Sequence, residues 1–436
     1  MFRLVGSTAK RTSGAVNSVV STPAGLLVSR IVASAAAIVT SPMIARSTGA
    51  DGRGLIAAAM TVLMIVPIAL ALGLPWAVRR RCALSLDGRD LVVRSAQVLS
   101  LAMLVPAVVI GLVLNATLLS ALPNAAKVWL LVGLALTPLI ISRNCLYSLL
   151  VVQNRFRALF LATVSQPLTN VILILILFVS GSLNIASAIA TTTTSILVSY
   201  ILTSSIDDSK KFGKLVSLRS LLRESLASAG AQISEIASYR LNQLVLLPFI
   251  GSAALGNYAV AVNIALAPAP VGQAIGTATF RESANLDTIG KKEIAARTLN
   301  ASVSIGFCAM LGILAVTPWA VPFFFGSEFR AAVMAAQILG IGLIFVVANY
   351  TLTSNMIAQG LNLRASFAQY IGFVVGLLAV IGFGVAFGLT GAAVGSVVGF
   401  ATTSLASSVL LKVNISAWMP RWSGLVNSIR ILRGKA

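Results

Sequence analysis

No histidine occurs in this chain of 436 residues, so the commonest general base, proton shuttle and metal ligand is missing outright. Cysteine is almost as scarce. Cys82, Cys145 and Cys308 stand far apart in sequence, two of them inside apolar runs, and neither a disulfide nor a metal site is expected from them. No Walker loop is present to hold ATP, and no nucleophile–base pair stands out. Neither an enzymatic activity nor a cofactor is expected.

Charge is thin as well. Only 10% of the residues are charged, against roughly a quarter in soluble domains, while 58% are hydrophobic. That balance excludes a water-soluble globule and points to membrane spans. Acids are the rarest charged class, 11 against 32 lysines and arginines, for a formal net charge of +21. Nucleic acid is one outlet for such an excess, but the placement of the basic residues gives a better one, and no nucleic-acid partner is expected.

What is there in quantity is long apolar runs. About 20 such residues carry a helix across the hydrocarbon core, and twelve segments qualify: Gly25–Ala45, Leu55–Val78, Ala96–Leu122, Val128–Leu150, Ala158–Ser180, Ile185–Ile206, Leu226–Ile250, Gly256–Phe280, Thr298–Phe325, Ala331–Ala358, Ser366–Phe387 and Gly391–Leu411. The runs are too long, and lack the alternation, for barrel strands. Met1–Ala24 is polar and basic, unlike a cleavable signal. With the N-terminus inside, 25 of the 32 basic residues fall in inner segments, 4 (Arg46, Arg53, Lys127, Arg330) in outer loops and 3 within spans. Basic flanks stay cytoplasmic, so both termini are expected inside a cell membrane, with anionic lipid as a partner for the inner face.

The chain also repeats itself. VVQNRFRALF (151–160) is echoed by IAQGLNLRASF (357–367), with Arg157, Ala158 and Phe160 matching Arg364, Ala365 and Phe367. Pro42 recurs as Pro248, and Gly181 as Gly388. The echo joins spans four and five in one half and ten and eleven in the other. The expected fold is an all-α membrane protein, with twelve transmembrane helices as two six-helix lobes around a central cleft suited to alternating access. Its divisions are an N-terminal segment (1–24), a first lobe (25–206), a cytoplasmic linker (207–225), a second lobe (226–411) and a basic amphipathic tail (412–436).

Charges within spans are costly and functional by default. Arg240 stands about mid-bilayer in span seven, with Gln243 on the same helix face, and faces either a polar cavity or a structural partner. Arg143, with Asn144 beside it, and Arg30 stand nearer span ends, where reaching back to headgroups competes with a cavity role. Glu235, the one acid well inside a span, is either a counter-charge to an arginine or a protonatable coupling group. The polar runs TTTTS (191–195) and NYTLTSN (349–355) line a pathway or bond helices together. Pro67, Pro167, Pro268 and Pro270 should bend spans two, five and eight.

Several stretches together resemble the Wzx-type polysaccharide flippases of the multidrug/oligosaccharidyl-lipid/polysaccharide exporter superfamily. They are SPMIARSTGADGRGLIAAA, SYRLNQLVLLPFIGSAALGNYAVA, FFFGSEFRAAVMAAQILGIG, the echoed pair and GLTGAAVG. The resemblance implies two six-helix lobes moving a polyprenyl-pyrophosphate-linked oligosaccharide to the outer face of the membrane. A cationic cavity would hold the anionic headgroup, with Arg240, Arg143 and Arg30 as contacts beside Gln243 and Asn144. Lipid-linked glycan and membrane lipids are then partners, with a glycan polymerase or glycosyltransferases as candidates. Guanidinium forks bind phosphate oxygens bidentately. The acid that often follows the span-seven arginine by two residues is Asn242 here, which weakens an ion-coupling role at that point. A drug/cation antiporter of the same fold, and a non-transporting scaffold for glycan assembly, are the competing readings.

Overall fold

The computed structural model describes residues 21–22, 24–84, 88–208, 213–285 and 288–432; within them the side chains of 24, 27, 227–228, 230–244, 281, 284–285, 288–289 and 432 lie outside the description. Fourteen α-helices are described, and no strand. They are α1 Ala24–Leu70, α2 Leu74–Leu84, α3 Arg89–Leu101, α4 Leu104–Ala116, α5 Asn124–Ala135, α6 Thr137–Val152, α7 Phe156–Val179, α8 Ile185–Ile206, α9 Leu218–Ala265, α10 Pro270–Asn285, α11 Thr288–Phe325, α12 Arg330–Ala358, α13 Asn362–Leu411 and α14 Trp422–Leu432. All twelve expected spans fall on these helices. In hydrocarbon every backbone N–H and C=O must be satisfied within the chain, and the helix does this locally.

Three helices each hold two spans, broken at a glycine in the left-handed region: Gly49 (φ 67°) in α1, Gly251 (φ 77°) in α9 and Gly388 (φ 59°) in α13. A side chain there would be strained. Around Gly388 the chain reverses on itself, since Gly372 meets Thr403 and Gly376 meets Gly399 across the hairpin. A Cβ on Gly399 would stand 2.7 Å from the Gly376 Cα. Small residues let these two spans touch by backbone, as membrane helices do when no hydrophobic drive holds them together. Span eight breaks at 266–269, where Pro268 and Pro270 stand. Span four bends by 43° between α5 and α6. Pro167 lies inside the unbroken α7, whereas Pro67 precedes a break at 71–73.

The echo is visible in the backbone. Arg155 N–H bonds Leu150 O in the first copy, and Leu361 N–H bonds Met356 O in the second, 206 residues on in each case. The arginine match, 157 with 364, is 207. The second arginine therefore sits one residue deeper in its helix.

The chain forms two compact units. The first comprises 1–40 and 63–233, and the second 41–62 and 234–436. The core of the first packs α2, α3 and α6 with Leu221 at the start of α9, and buries Cys82 and Cys145 in one apolar cluster despite their separation in sequence. The stretch before α9 is tied down here: Arg94 donates to Lys214 O, Ser95 Oγ accepts from Val216 N–H, and Arg81 holds the Glu224 carboxylate with two bonds of 2.8 and 2.9 Å. In the second unit α11, α12 and α13 pack with a core around Leu299, Val303, Leu352 and Met356. Residues 46–51, read from sequence as first-lobe outer loop, bond within this second unit. Arg46 donates to the carbonyls of Phe323 and Phe324, and Glu328 accepts from Ala50 N–H. Gly54 and Gly256 bring α1 and α9 to backbone contact.

The tail is docked rather than loose. Gly424, Ser428 and Ile431 of α14 are buried, and Arg421 N–H donates to Ser304 Oγ on α11. Ile415, Trp422 and Ile429 of the expected apolar stripe point outward, Trp422 with 78% of its surface exposed.

Two outcomes are expected. Gly399→Leu overpacks the hairpin and lowers stability by about 1–3 kcal/mol, whereas Gly382→Ala, with open space around it, is neutral or slightly stabilising; thermal unfolding in detergent compares them. The Arg81 guanidinium holds the Glu224 carboxyl below its usual range. A depressed carboxylate stabilises above its unfolded pKa, about 4.3, and loses that contribution as pH falls through the folded value. The melting-temperature deficit of Glu224→Gln should therefore hold steady from neutral pH down to about pH 5 and shrink progressively as pH falls below about pH 4.

Candidate functional site

Arg143 lies on α6 in the first unit and is buried, with 7% of its surface exposed. The amphipathic logic of a membrane helix would put such a charge at an end or against a partner, and here it has the second. Its Nη1 donates to Gln166 Oε1 of α7 at 2.8 Å, and its guanidinium lies 5.6 Å from the centre of the Tyr147 ring. Tyr147 is one helical turn along α6, so both side chains leave the same face. Below them the Tyr147 hydroxyl donates to Ala162 O, the Ser165 and Ser199 hydroxyls lie within hydrogen-bond distance of the same carbonyl, and the two serine oxygens stand 2.9 Å apart. Arg143 Nε and the adjoining Ser142 Oγ are buried with no hydrogen-bond partner among the described residues.

Every group named here is neutral except Arg143, and among the described residues no carboxylate lies within ion-pair distance of it. A guanidinium keeps its charge at any accessible pH. The cluster is therefore a positive centre, held in orientation by an amide oxygen and an aromatic face, with donor capacity still unused.

The other expected residues are placed as follows. Asn144 is half-buried beside Arg143 on α6, and Arg30 is exposed on α1; both belong to the first unit. Glu235, Arg240 and Gln243 lie on the α9 backbone in the second unit, with their side chains outside the described residues. The structure thus brings Arg143 together with Gln166, Tyr147, Ser165 and Ser199, none of which the sequence singled out. Two signals were there: Gln166 precedes Pro167 in an otherwise apolar run, and Tyr147 stands four residues from Arg143.

Both polar runs bond helices together. Thr192 Oγ1 donates to Asn170 Oδ1 and Thr193 Oγ1 to Trp129 O. In the second unit Asn349 Oδ1 accepts from Gln369 Nε2 at 3.2 Å, Ser354 donates to Gly276 O, and Asn355 donates to Thr298 Oγ1. A small pocket between α12 and α13 is lined by Asn349, Gln369, Ser396 and Thr403.

Comparison with known proteins adds the family. A model described as "Polysaccharide biosynthesis protein" matches residues 24–280, more than half of the chain. The chain belongs to that family. The resemblance to polysaccharide flippases read from the motifs therefore holds. No curated protein matches the sequence. Among solved structures, the lipid II flippase MurJ in an inward closed conformation is 15% identical, with 94% of this chain and 90% of that chain covered and a TM-score of 0.76. An inward-facing multidrug resistance MATE family transporter of the MOP superfamily is 17% identical, covering 92% and 95% with a TM-score of 0.68. A MOP superfamily transporter from Pyrococcus furiosus Vc1 (DSM3638), whose description reports reverse polarity of its binding pocket, is 16% identical over 96% of each chain with a TM-score of 0.60. The chain shares its all-α fold with these three structures.

Gln166→Leu removes the one described acceptor of Arg143 and leaves a buried charge on an aromatic face alone. A hydrogen bond to a charged group contributes about 1.5–3 kcal/mol, so thermal unfolding should show a loss of that order. Gln166→Glu should restore the bond as an ion pair.

Proposed function

We propose that this chain is a flippase that moves a polyprenyl-pyrophosphate-linked oligosaccharide from the inner to the outer face of the cytoplasmic membrane, by alternating access, and that Arg143 contacts the anionic headgroup. The observation that carries the reading is the buried positive centre at Arg143, pre-oriented by neutral partners only. An oxyanion is the natural complement of such a fork, and the bond strengthens where water is scarce. Family membership supports a role in polysaccharide biosynthesis, and MurJ, a lipid II flippase, shares the fold. In this proposal the lobes are 25–206 and 226–411, joined by 207–225, with both termini cytoplasmic. Arg240, Arg30, Gln243 and Asn144 extend the headgroup contacts, and Glu235 is the counter-charge or coupling group. Polymerases or glycosyltransferases would supply and consume the cargo.

The sequence places three arginines and one glutamate within spans, a balance suited to anionic cargo and opposite to the needs of a cation antiporter. A MOP transporter whose pocket is of reversed polarity indicates that the fold accommodates either sign.

The test is the sidedness of labelled lipid-linked glycan in a strain depleted of this protein. Depletion should trap the glycan on the inner face, and wild type should release it. Arg143→Lys at matched membrane level should restore less than about a tenth of the rate, because a point charge does not replace a bidentate fork. Normal sidedness on depletion, in a strain with no second flippase, overturns the reading and favours a scaffold.

A further inference from the structure

Arg53 falls in what the sequence reads as an outer loop, yet it lies on α1 just past the Gly49 break with only 8% of its surface exposed. Its Nη2 donates to Ser41 Oγ at 3.3 Å, and Asn263 Nδ2 of α9 donates to the same oxygen at 3.3 Å. Ser41 is itself 2% exposed. Arg53 Nε is buried with no hydrogen-bond partner among the described residues. Among the described residues no carboxylate lies within 4.0 Å of this guanidinium, and Asp51, two residues away, accepts instead from the Ser252 hydroxyl.

The imbalance is chemical. A guanidinium and an amide NH2 converge on one serine oxygen, which accepts from both. An enclosed cation with unused donors is costly unless an opposite charge joins it. Clusters of this composition bind anions, because each donor contributes a bond and the cation contributes the field.

We propose that Arg53, Ser41 and Asn263 form a binding site in the second unit for a single small anionic group, separate from the Arg143 cluster of the first unit. The enclosure of Arg53 and Ser41 favours a free monovalent ion of chloride size over the acid of a bulky sugar. The site goes beyond the flippase reading and does not depend on it. An anion seated there neutralises the one buried cation of the 41–62 stretch and so ties that stretch to α9 through Asn263.

The test uses the full chain in nanodiscs of zwitterionic lipid, with sodium isethionate replaced stepwise by sodium chloride at constant ionic strength. Thermal unfolding of wild type should shift upward and saturate, as ligand linkage requires. Arg53→Gln should lose the shift. Ser41→Ala, the milder change and the safeguard should Arg53→Gln not fold, should need about tenfold more chloride for half the effect, the value of one hydrogen bond. Asn263→Ala should weaken the response in the same direction. A parallel titration with glucuronate identifies the source: displacement of chloride by glucuronate assigns the site to a sugar acid, and a response to chloride alone assigns it to the free ion. A wild-type melting temperature indifferent to both anions overturns the proposal. So does a response that survives unchanged in Arg53→Gln or Ser41→Ala. A dependence present only in Glu235→Gln would make Glu235 the counter-charge and overturn it equally.

Discussion

Hydrocarbon offers no hydrogen bonds, and the rest of this structure follows from that deficit. Backbone groups retreat into helices, and polar side chains bond to the helix below or to a neighbour across the interface. Thr61, Thr298 and Thr317 each return their hydroxyl to the carbonyl four residues back. Gly376 and Gly399 bring two backbones together because close packing, rather than expulsion of water, is what holds lipid-immersed helices to each other. The same deficit makes Arg143 conspicuous. It is tolerated only because Gln166 and Tyr147 supply an oxygen and a π-face at the right places.

The twelve segments were legible because a span is set by length and hydropathy, and both are properties of a local window. The breaks that divide spans were legible where proline or glycine causes them, as at Pro268 and Gly388. The 71–73 break holds Gly73 at φ 80°, as a glycine allows, but it also puts Leu72 at φ 47°, and no residue type announces that. The repeat was visible, but its register was not: backbone bonds fix the turn offset at 206, whereas matching letters gave 207.

Site residues were legible only by their cost. A charge in an apolar run stands out, so Arg143 was found. Its acceptor Gln166 and the supporting Tyr147 and Ser199 are ordinary polar residues whose role exists only once three helices are adjacent. Arg53 was missed for the opposite reason. It stands among polar, glycine-rich neighbours that look like an outer loop, and its burial comes from the close crossing of Gly54 and Gly256, a tertiary fact. The runs at 191–195 and 349–355 left two uses open, and neighbouring carbonyls and amides decided for interhelical bonding.

The duplication gives the deepest asymmetry its meaning. At the turn offset of 206, the position of Arg143 corresponds to Asn349. Each donates to or accepts from a glutamine on the next span, Gln166 in one case and Gln369 in the other. The two slots are similar without coinciding, since Gln369 falls three residues short of the position equivalent to Gln166: each has a polar side chain on the fourth span of a half bridged to the fifth. Their chemistry differs by a full positive charge. In the Asn349–Gln369 pair an amide donor meets an amide acceptor and the pair is neutral. A guanidinium paired with an amide oxygen keeps a net charge and free donors. If bridging the helices were the whole task, the neutral pair would accomplish it without the desolvation penalty. Retaining the charge at this slot is therefore an argument for a ligand there, which is the role proposed for Arg143.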